Sequence, residues 1–328
     1  TVRRGGWSGL NKGVVSALDH VSLSVRPGET FAIVGETGSG KSTLGRAILQ
    51  QPPPQGGRVL VNGRDPATLK GKEALEARKA VQMVFQDPYG ALNPRWRAEK
   101  ILTEPLRIHD VGDKASQQRL AAEMMEMVGL DFERHGGRFP RELSGGQSQR
   151  LAIARALIIS PSVVICDEPV TALDVSIQAQ ILNLLAKLRS ELGVTYLLIA
   201  HDLMVVQTLS HRVATMYLGR VCEEGPTAAM FGQPAHPYTA ALLSAIPPRP
   251  GVKTTVPRLR LRGDPPSPLN PPSGCRFRTR CAFAQDICAA EVPTAQKVGE
   301  DHVVYCHFPF AAQHSGGKGA GLTDPVGK

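Results

Sequence analysis

Aromatic residues make up only 5% of this 328-residue chain, and no apolar run in it is long. The longest runs, such as Tyr196-Leu197-Leu198-Ile199-Ala200, are strand-sized, which excludes a transmembrane helix from the reading. Thr1-Val2-Arg3-Arg4-Gly5-Gly6 lacks the apolar core of a secretory signal, so a cytoplasmic location is expected. There is no initiator Met, and the expectation is a fragment, a processed product or one half of a longer polypeptide. The six cysteines include no close C-x₂₋₄-C pair of the kind structural zinc favours. In a cytosolic chain they argue for core or metal roles rather than disulfides. Hydrophobic residues at 42% still support a real core, and the length suits one large domain plus an appendage, or two domains. The net charge of +9 is compatible with nucleic acid, a nucleotide or an anionic membrane face, and does not choose among them.

What is present is a phosphate-binding loop. Gly35-Glu36-Thr37-Gly38-Ser39-Gly40-Lys41-Ser42 fits G-x-x-x-x-G-K-[ST]. Thr30-Phe31-Ala32-Ile33-Val34 leads in as a buried strand, and Thr43 to Leu49 leaves with helical spacing. The glycines let successive N–H groups turn toward one point, and the helix N-terminus adds its positive dipole end. Lys41 is expected at the β- and γ-phosphates and Ser42 on Mg²⁺. An ordinary Gly-rich turn would not bring strand, lysine, hydroxyl and helix together.

Further polar residues follow at strand ends and helix starts. Val81 to Asp87 reads as a strand whose exit presents Gln86, a candidate at a metal or a water; alone it would pass for a capping glutamine. Residues 98–160 read as helical, and Leu143-Ser144-Gly145-Gly146-Gln147 opens a helix with bared N–H groups and Ser144 as cap, a second phosphate-binding device. Ser162 to Glu168 is an apolar run that delivers two acids to its carboxyl edge, Asp167 for Mg²⁺ and Glu168 to polarise the attacking water, with Cys166 pointing into the core. Val194 to Ala200 is another buried strand, and His201 just beyond it falls on the ligand side of a parallel sheet, placed for a γ-phosphate contact. Early antiparallel strands are expected at Ala17–Val25, which alternates apolar and polar, and around Gly57–Arg64; Val213–Gly225 reads as a closing hairpin.

The ordered set Gly35–Ser42, Gln86, Leu143–Gln147, Asp167–Glu168, Ala172–Asp174 and His201 resembles the ATP-binding subunits of ABC transporters. Phe85 to Arg95, His236-Pro237-Tyr238-Thr239 and Gly263 to Pro272 look like its dipeptide/oligopeptide importer branch. The resemblance implies a P-loop (RecA-like) ABC ATPase core over residues 1–245. It also implies an antiparallel β subdomain, a helical subdomain at about 90–160, and a Pro-rich, Cys-containing extension over 246–328. It implies ATP and Mg²⁺ as cofactors, with nucleotide contacts from Gly35 to Thr43, Gln86 and Asp167 and, across a head-to-tail pair, from Ser144, Gly145, Gly146, Gln147 and Asp174. Glu168 and His201 would be catalytic, and Ser42, Gln86 and Asp167 would serve Mg²⁺. The implied partners are a second ABC ATPase subunit or fused half, two multi-span membrane permeases and, indirectly, an extracytoplasmic solute-binding protein; no nucleic acid is implied. The place is the cytoplasmic face of the plasma membrane. The family's adenine-stacking aromatic falls before Thr1, with Trp7 as a candidate substitute. Peptide, nickel or glycoside import is not separable from this chain. A soluble ABC ATPase acting on DNA or ribosomes would usually carry long insertions or coiled coils, and none is visible.

The tail holds Cys275, Cys281, Cys288 and Cys306, spaced C-x₅-C-x₆-C-x₁₇-C, after a Pro-rich basic stretch carrying Arg249, Lys253, Arg258, Arg260 and Arg262. The spacing suggests four soft ligands without naming the metal, with His302 and His307 as possible substitutes. The resemblance implies a 4Fe–4S cluster on these cysteines, with zinc as the alternative.

Overall fold

The computed structural model describes residues 2–3, 14–246, 259, 261 and 263–310. A two-residue pair, β1 (Val2–Arg3) and β2 (Val14–Val15), stands apart from the main sheet. The main sheet has eight strands: β3 (Thr30–Val34), β4 (Val81–Val84), β5 (Val163–Asp167), β6 (Thr195–Ile199), β7 (Arg212–Tyr217), β8 (Arg220–Pro226), β9 (Ala295–Gly299) and β10 (His302–Tyr305), in the order β4-β5-β6-β3-β7-β8-β10-β9. The run β4-β5-β6-β3-β7 is parallel, and β8, β10 and β9 follow antiparallel. The mixed α/β fold implied by the resemblance is thus present.

Strand alternation sorts the core into two layers. In β3, Ala32 and Val34 face one buried cluster together with Val164, Cys166 and Leu198, whereas Phe31 and Ile33 face another with Ile165, Leu197 and Ile199. Both faces are covered, so the central strands are continuously apolar, as buried parallel strands must be. The first cluster includes the helices Ala98–Ile108, Lys114–Met127 and Gly145–Leu157, which lie in the helical region expected from the sequence, and the later helix Val175–Leu192. Cys166 lies in this core at 1% exposure, and burial pushes its thiol up to about 12.

Two expected strands do not form. Val21, Leu23 and Val25 are half-buried and alternate with exposed Ser22 and Ser24, but this segment pairs with no strand among the described residues. Its alternation records one-sided burial against the core. Its backbone bonds go to a turn and a side chain: Asp19 N–H donates to Gly219 O, and Arg212 donates to Ser24 O. Around residues 57–64 only the isolated bridge Val61–Arg64 exists. The antiparallel strands of the main sheet come later in the chain, in the pairs β7–β8, β8–β10 and β10–β9. The hairpin β7–β8 turns at Leu218-Gly219, both with positive φ, matching the primed turn that suits right-twisted strands.

The cysteine-bearing tail joins this sheet rather than standing apart, because β10 pairs with β8. Fully buried Glu223 on β8 ties three segments together. It accepts hydrogen bonds from the N–H groups of Ala235 (2.7 Å) and His236 (2.9 Å), and its carboxylate meets His302 Nε2 of β10 at 2.7 Å. Glu223→Leu would leave two buried N–H donors and an imidazole unpaired, so we expect a loss of about 3–5 kcal/mol, read as a lower thermal unfolding transition. An unchanged transition would remove Glu223 from this role.

Candidate nucleotide site

Four neighbouring strands of the parallel run end at one edge of the sheet. The ends of β4, β5, β6 and β3 lead directly to Gln86, Asp167–Glu168, His201 and Gly35 respectively. This carboxyl edge is where open α/β sheets bind ligands.

The loop after β3 needs glycine for two separate reasons. At Gly35 a Cβ would stand 2.2 Å from Met216 O, so a side chain there collides with the backbone of β7. At Gly40, which precedes the helix Lys41–Ile48, φ is +103° and a Cβ would meet Ala17 O at 2.5 Å. The loop is also pinned by backbone bonds from Ser39 N–H to Glu36 O and from Gly219 N–H to Ser39 O. Lys41 lies inside the loop, 6% exposed, and its Nζ donates to Gly35 O (2.7 Å) and Glu36 O (3.0 Å). Burial lowers its pKa, while Glu168, Asp167 and Glu36 pull it back up.

Ser42 Oγ donates to Asp167 Oδ1 at 2.9 Å, so the two oxygen ligands expected for Mg²⁺ already meet. Burial pushes the Asp167 carboxyl up; the Ser42 hydroxyl opposes this, and Glu168 adds to it. A hydroxyl beside a carboxylate is the hard, all-oxygen donor type that Mg²⁺ takes along with phosphate oxygens.

Gln86, Glu168 and His201 form a second group. Gln86 Nε2 donates to Glu168 Oε2 at 3.0 Å, Thr171 Oγ1 donates to the same oxygen at 3.2 Å, and His201 Nδ1 lies 3.2 Å from it. Glu168 holds φ +47°, uncommon for a residue with a side chain and a conformation that clusters at functional sites. Its N–H donates to Ile199 O, fixing it to the end of β6. Gln86, expected at a metal or a water, lies beside the acid that the sequence assigns to the attacking water.

Ser144 to Gln147 belong to the helical layer. Ser144 N–H donates to Gln147 Oε1 (2.9 Å) and Gln147 N–H to Ser144 Oγ (3.3 Å), a reciprocal capping box. A Cβ on Gly146 would press on Ile177 at 2.8 Å, and one on Gly145 would touch Leu173 at 3.4 Å. The Ser144–Gln147 segment, the signature stretch of the ordered set, therefore packs against the segment that carries Asp174, and both Ser144 and Asp174 are exposed. Trp7, the candidate adenine contact, lies outside the described residues, as do Arg249, Lys253, Arg258, Arg260 and Arg262.

The four tail cysteines converge. Cys275, Cys281, Cys288 and Cys306 line one small cavity with Phe277, Phe283 and Phe308. Even so, among the described residues no group of three or more His, Cys, Asp or Glu side chains is arranged to hold a metal ion. Burial pushes the Cys281 thiol up to about 11 and Cys306 up to about 12. His302 is committed to Glu223, and His307 Nε2 bonds Glu291 O at 3.0 Å. The 4Fe–4S cluster expected here, and the zinc alternative, are not supported.

Sequence reasoning missed Arg280. Its guanidinium grips the Glu36 carboxylate through both nitrogens, at 2.6 and 3.1 Å, across 244 residues of chain. Tyr238 was noted only for its motif, yet Glu36 N–H donates to its hydroxyl at 2.8 Å. No spacing rule ties a tail arginine to a phosphate loop.

A parallel-edge nucleotide site with paired acids and a separate signature helix defines an ABC-type ATPase. The ABC transporter family model matches residues 18–171, and the oligopeptide/dipeptide transporter C-terminal region matches residues 222–288. A protein of Sinorhizobium fredii named "Probable peptide ABC transporter ATP-binding protein y4tS" is 49% identical over 313 residues, covering 94% of this chain and 88% of its own length. The oligopeptide transport ATP-binding protein AppF of Bacillus subtilis is 45% identical over 300 residues, covering 90% of each. Among solved structures, the dimeric ATP-binding cassette MJ0796 bound to ADP and Pi, in a post-hydrolysis state, matches with a TM-score of 0.60 at 32% identity, covering 67% of this chain and 94% of that one. This chain belongs to the ABC transporter ATP-binding family, in its oligopeptide/dipeptide branch.

Proposed function

We propose that this chain is the ATP-hydrolysing subunit of an importer that takes up short peptides through partner membrane proteins. The observation that carries the reading is the assembly of Ser42–Asp167 and Gln86–Glu168–His201 at the ends of adjacent strands. Residues Gly35 to Thr43 wrap the phosphates with backbone N–H groups, and Lys41 reaches the β- and γ-phosphates. Ser42 and Asp167 would hold Mg²⁺, which would supply positive charge against the phosphate oxygens. Glu168 takes a proton from the attacking water as its oxygen bonds to the γ-phosphorus and the β–γ bridging bond breaks. Gln86 and His201 keep the Glu168 carboxylate aimed at that water.

Ser144, Gly145, Gly146, Gln147 and Asp174 are assigned to the ATP of an opposed second ATPase, for which the dimeric solved relative is the support. We assign nucleotide binding to residues 1–245, with 246–328 as an appended part that shares the sheet. A groove of about 640 Å³ beside Gln86, lined among others by Phe85, Pro105, Ile108 and His109, is assigned to the membrane partner. Phe85 adjoins Gln86, so a segment seated there can pull on the residue that bonds Glu168. Two permeases, an external binding protein and a peripheral place on the inner membrane face complete the reading. Among the described residues no helix is long and apolar enough to cross a membrane.

The test is reconstitution with candidate permeases in vesicles. ATP hydrolysis stimulated by a peptide-loaded binding protein supports the reading, and stimulation only by a metal-loaded one overturns the substrate. In the same system Ser144→Arg is expected to lower turnover at least tenfold while this chain still binds ATP, because the signature serves the opposite site. Full turnover by that variant would remove the opposed pair.

A further inference from the structure

Glu36 is held on three sides by parts of the molecule with different origins. Its carbonyl accepts from Lys41 within the loop (3.0 Å). Its N–H donates to the hydroxyl of Tyr238, on the helix Pro237–Ser244 (2.8 Å). Its carboxylate receives both guanidinium nitrogens of Arg280, from the cysteine-bearing tail. Neither tail contact is incidental. Arg280 is 8% exposed and lies over the Tyr217 ring, which packs edge-on against Tyr238 and Phe277 at centroid separations of 4.9 and 5.3 Å. A planar fork matched to a carboxylate fixes orientation as well as charge.

The arrangement answers a problem the loop creates for itself. A carboxylate at the second position of a phosphate-binding loop would repel the nucleotide. The paired guanidinium neutralises that charge and turns the carboxylate away to the tail. We propose that Arg280 is a positioning residue for ATP: through Glu36 the C-terminal part holds the phosphate loop in its binding shape, and Tyr238 shares that task at the Glu36 N–H. The proposal rests on the ATP site described above and extends it to the tail. It gives the extension a function within the nucleotide cycle, since whatever displaces the packing around Cys275, Phe277 and Cys281 also moves Arg280.

The experiment uses the full chain and Mg·ATP, with equilibrium affinity read by a fluorescent ATP analogue and KM and kcat read by phosphate release. Arg280→Gln leaves the Glu36 carboxylate unpaired beside the phosphates and is expected to weaken ATP roughly tenfold, mainly through KM. Arg280→Lys keeps charge without the fork and should fall between the two. The decisive variant is the double one. Glu36→Gln in the Arg280→Gln background removes the stranded charge and should restore most of the affinity. Unchanged affinity in Arg280→Gln overturns the proposal. So does a weakened affinity that Glu36→Gln fails to rescue, because a tail that merely unfolds would not be mended from the loop. Lys41→Ala is the control: if it binds ATP normally, the underlying site assignment falls, and the proposal with it.

Discussion

Glu168→Gln is expected to stop turnover while leaving ATP bound. The amide keeps the size of the side chain and one oxygen, so the contacts from Gln86, Thr171 and His201 can largely persist. What it loses is the basic oxygen that takes the proton from water. General-base removal typically costs about 10²–10⁴ in rate. Binding should hold, because Lys41, Ser42 and the loop N–H groups belong to other elements. The check pairs phosphate release with equilibrium ATP binding on the same sample. Release within tenfold of the unmodified chain would mean that another group takes the proton. A backbone held at φ +47° by Ile199 O aims this side chain, so a residue placed two positions earlier or later on the strand could not substitute.

The parts of this site that were legible in the sequence share one property: each is local. A glycine-rich loop between strand and helix, two acids closing an apolar run, and a serine opening a helix are all written within eight or nine consecutive residues. The sheet edge then brings them together because parallel strands share a direction. Alternation was a poorer guide. Val21, Leu23 and Val25 do bury one side, but burial of one side does not require a ladder, and among the described residues this segment pairs with no strand. The tail was a harder case. Four cysteines in a short span suggest a metal; they line one cavity with Phe277, Phe283 and Phe308, and among the described residues no group of three or more His, Cys, Asp or Glu is arranged to hold one. The consequential residue of that span is Arg280, whose partner is 244 positions away. Charge pairs over such distances leave no periodic trace.

The tail contacts also change how the domain boundary should be understood. Residues 246–328 contribute strands β9 and β10 to the main sheet, and His302 of β10 meets the same buried Glu223 that fixes the start of the Tyr238 helix. Glu223, Tyr238 and Arg280 thus form a continuous path from the sheet's far edge to the phosphate loop. Breaking the buried Glu223–His302 pair would leave an unpaired charge in the core, which is costly.

Lys41→Ala is expected to remove ATP binding with little loss of stability. The ammonium is buried and capped by Gly35 O and Glu36 O, so the loop is already shaped around a cation. Burial alone would favour its neutral form; the three acids Glu168, Asp167 and Glu36 favour the charged one. On nucleotide binding those carbonyl bonds give way to phosphate oxygens. Two charge-assisted bonds are lost with the side chain, which corresponds to an affinity loss on the order of 100- to 1,000-fold. Stability should change in the opposite sense or not at all, because deleting a desolvated charge relieves its burial cost. Titration calorimetry with ATP and ADP, beside a thermal melt, separates the two effects. ADP should suffer less, since only the β-phosphate contact is shared. If ATP affinity stayed within a few-fold while the melt dropped sharply, Lys41 would be a structural cation that holds the loop together, and the phosphate contact would have to be assigned to another residue.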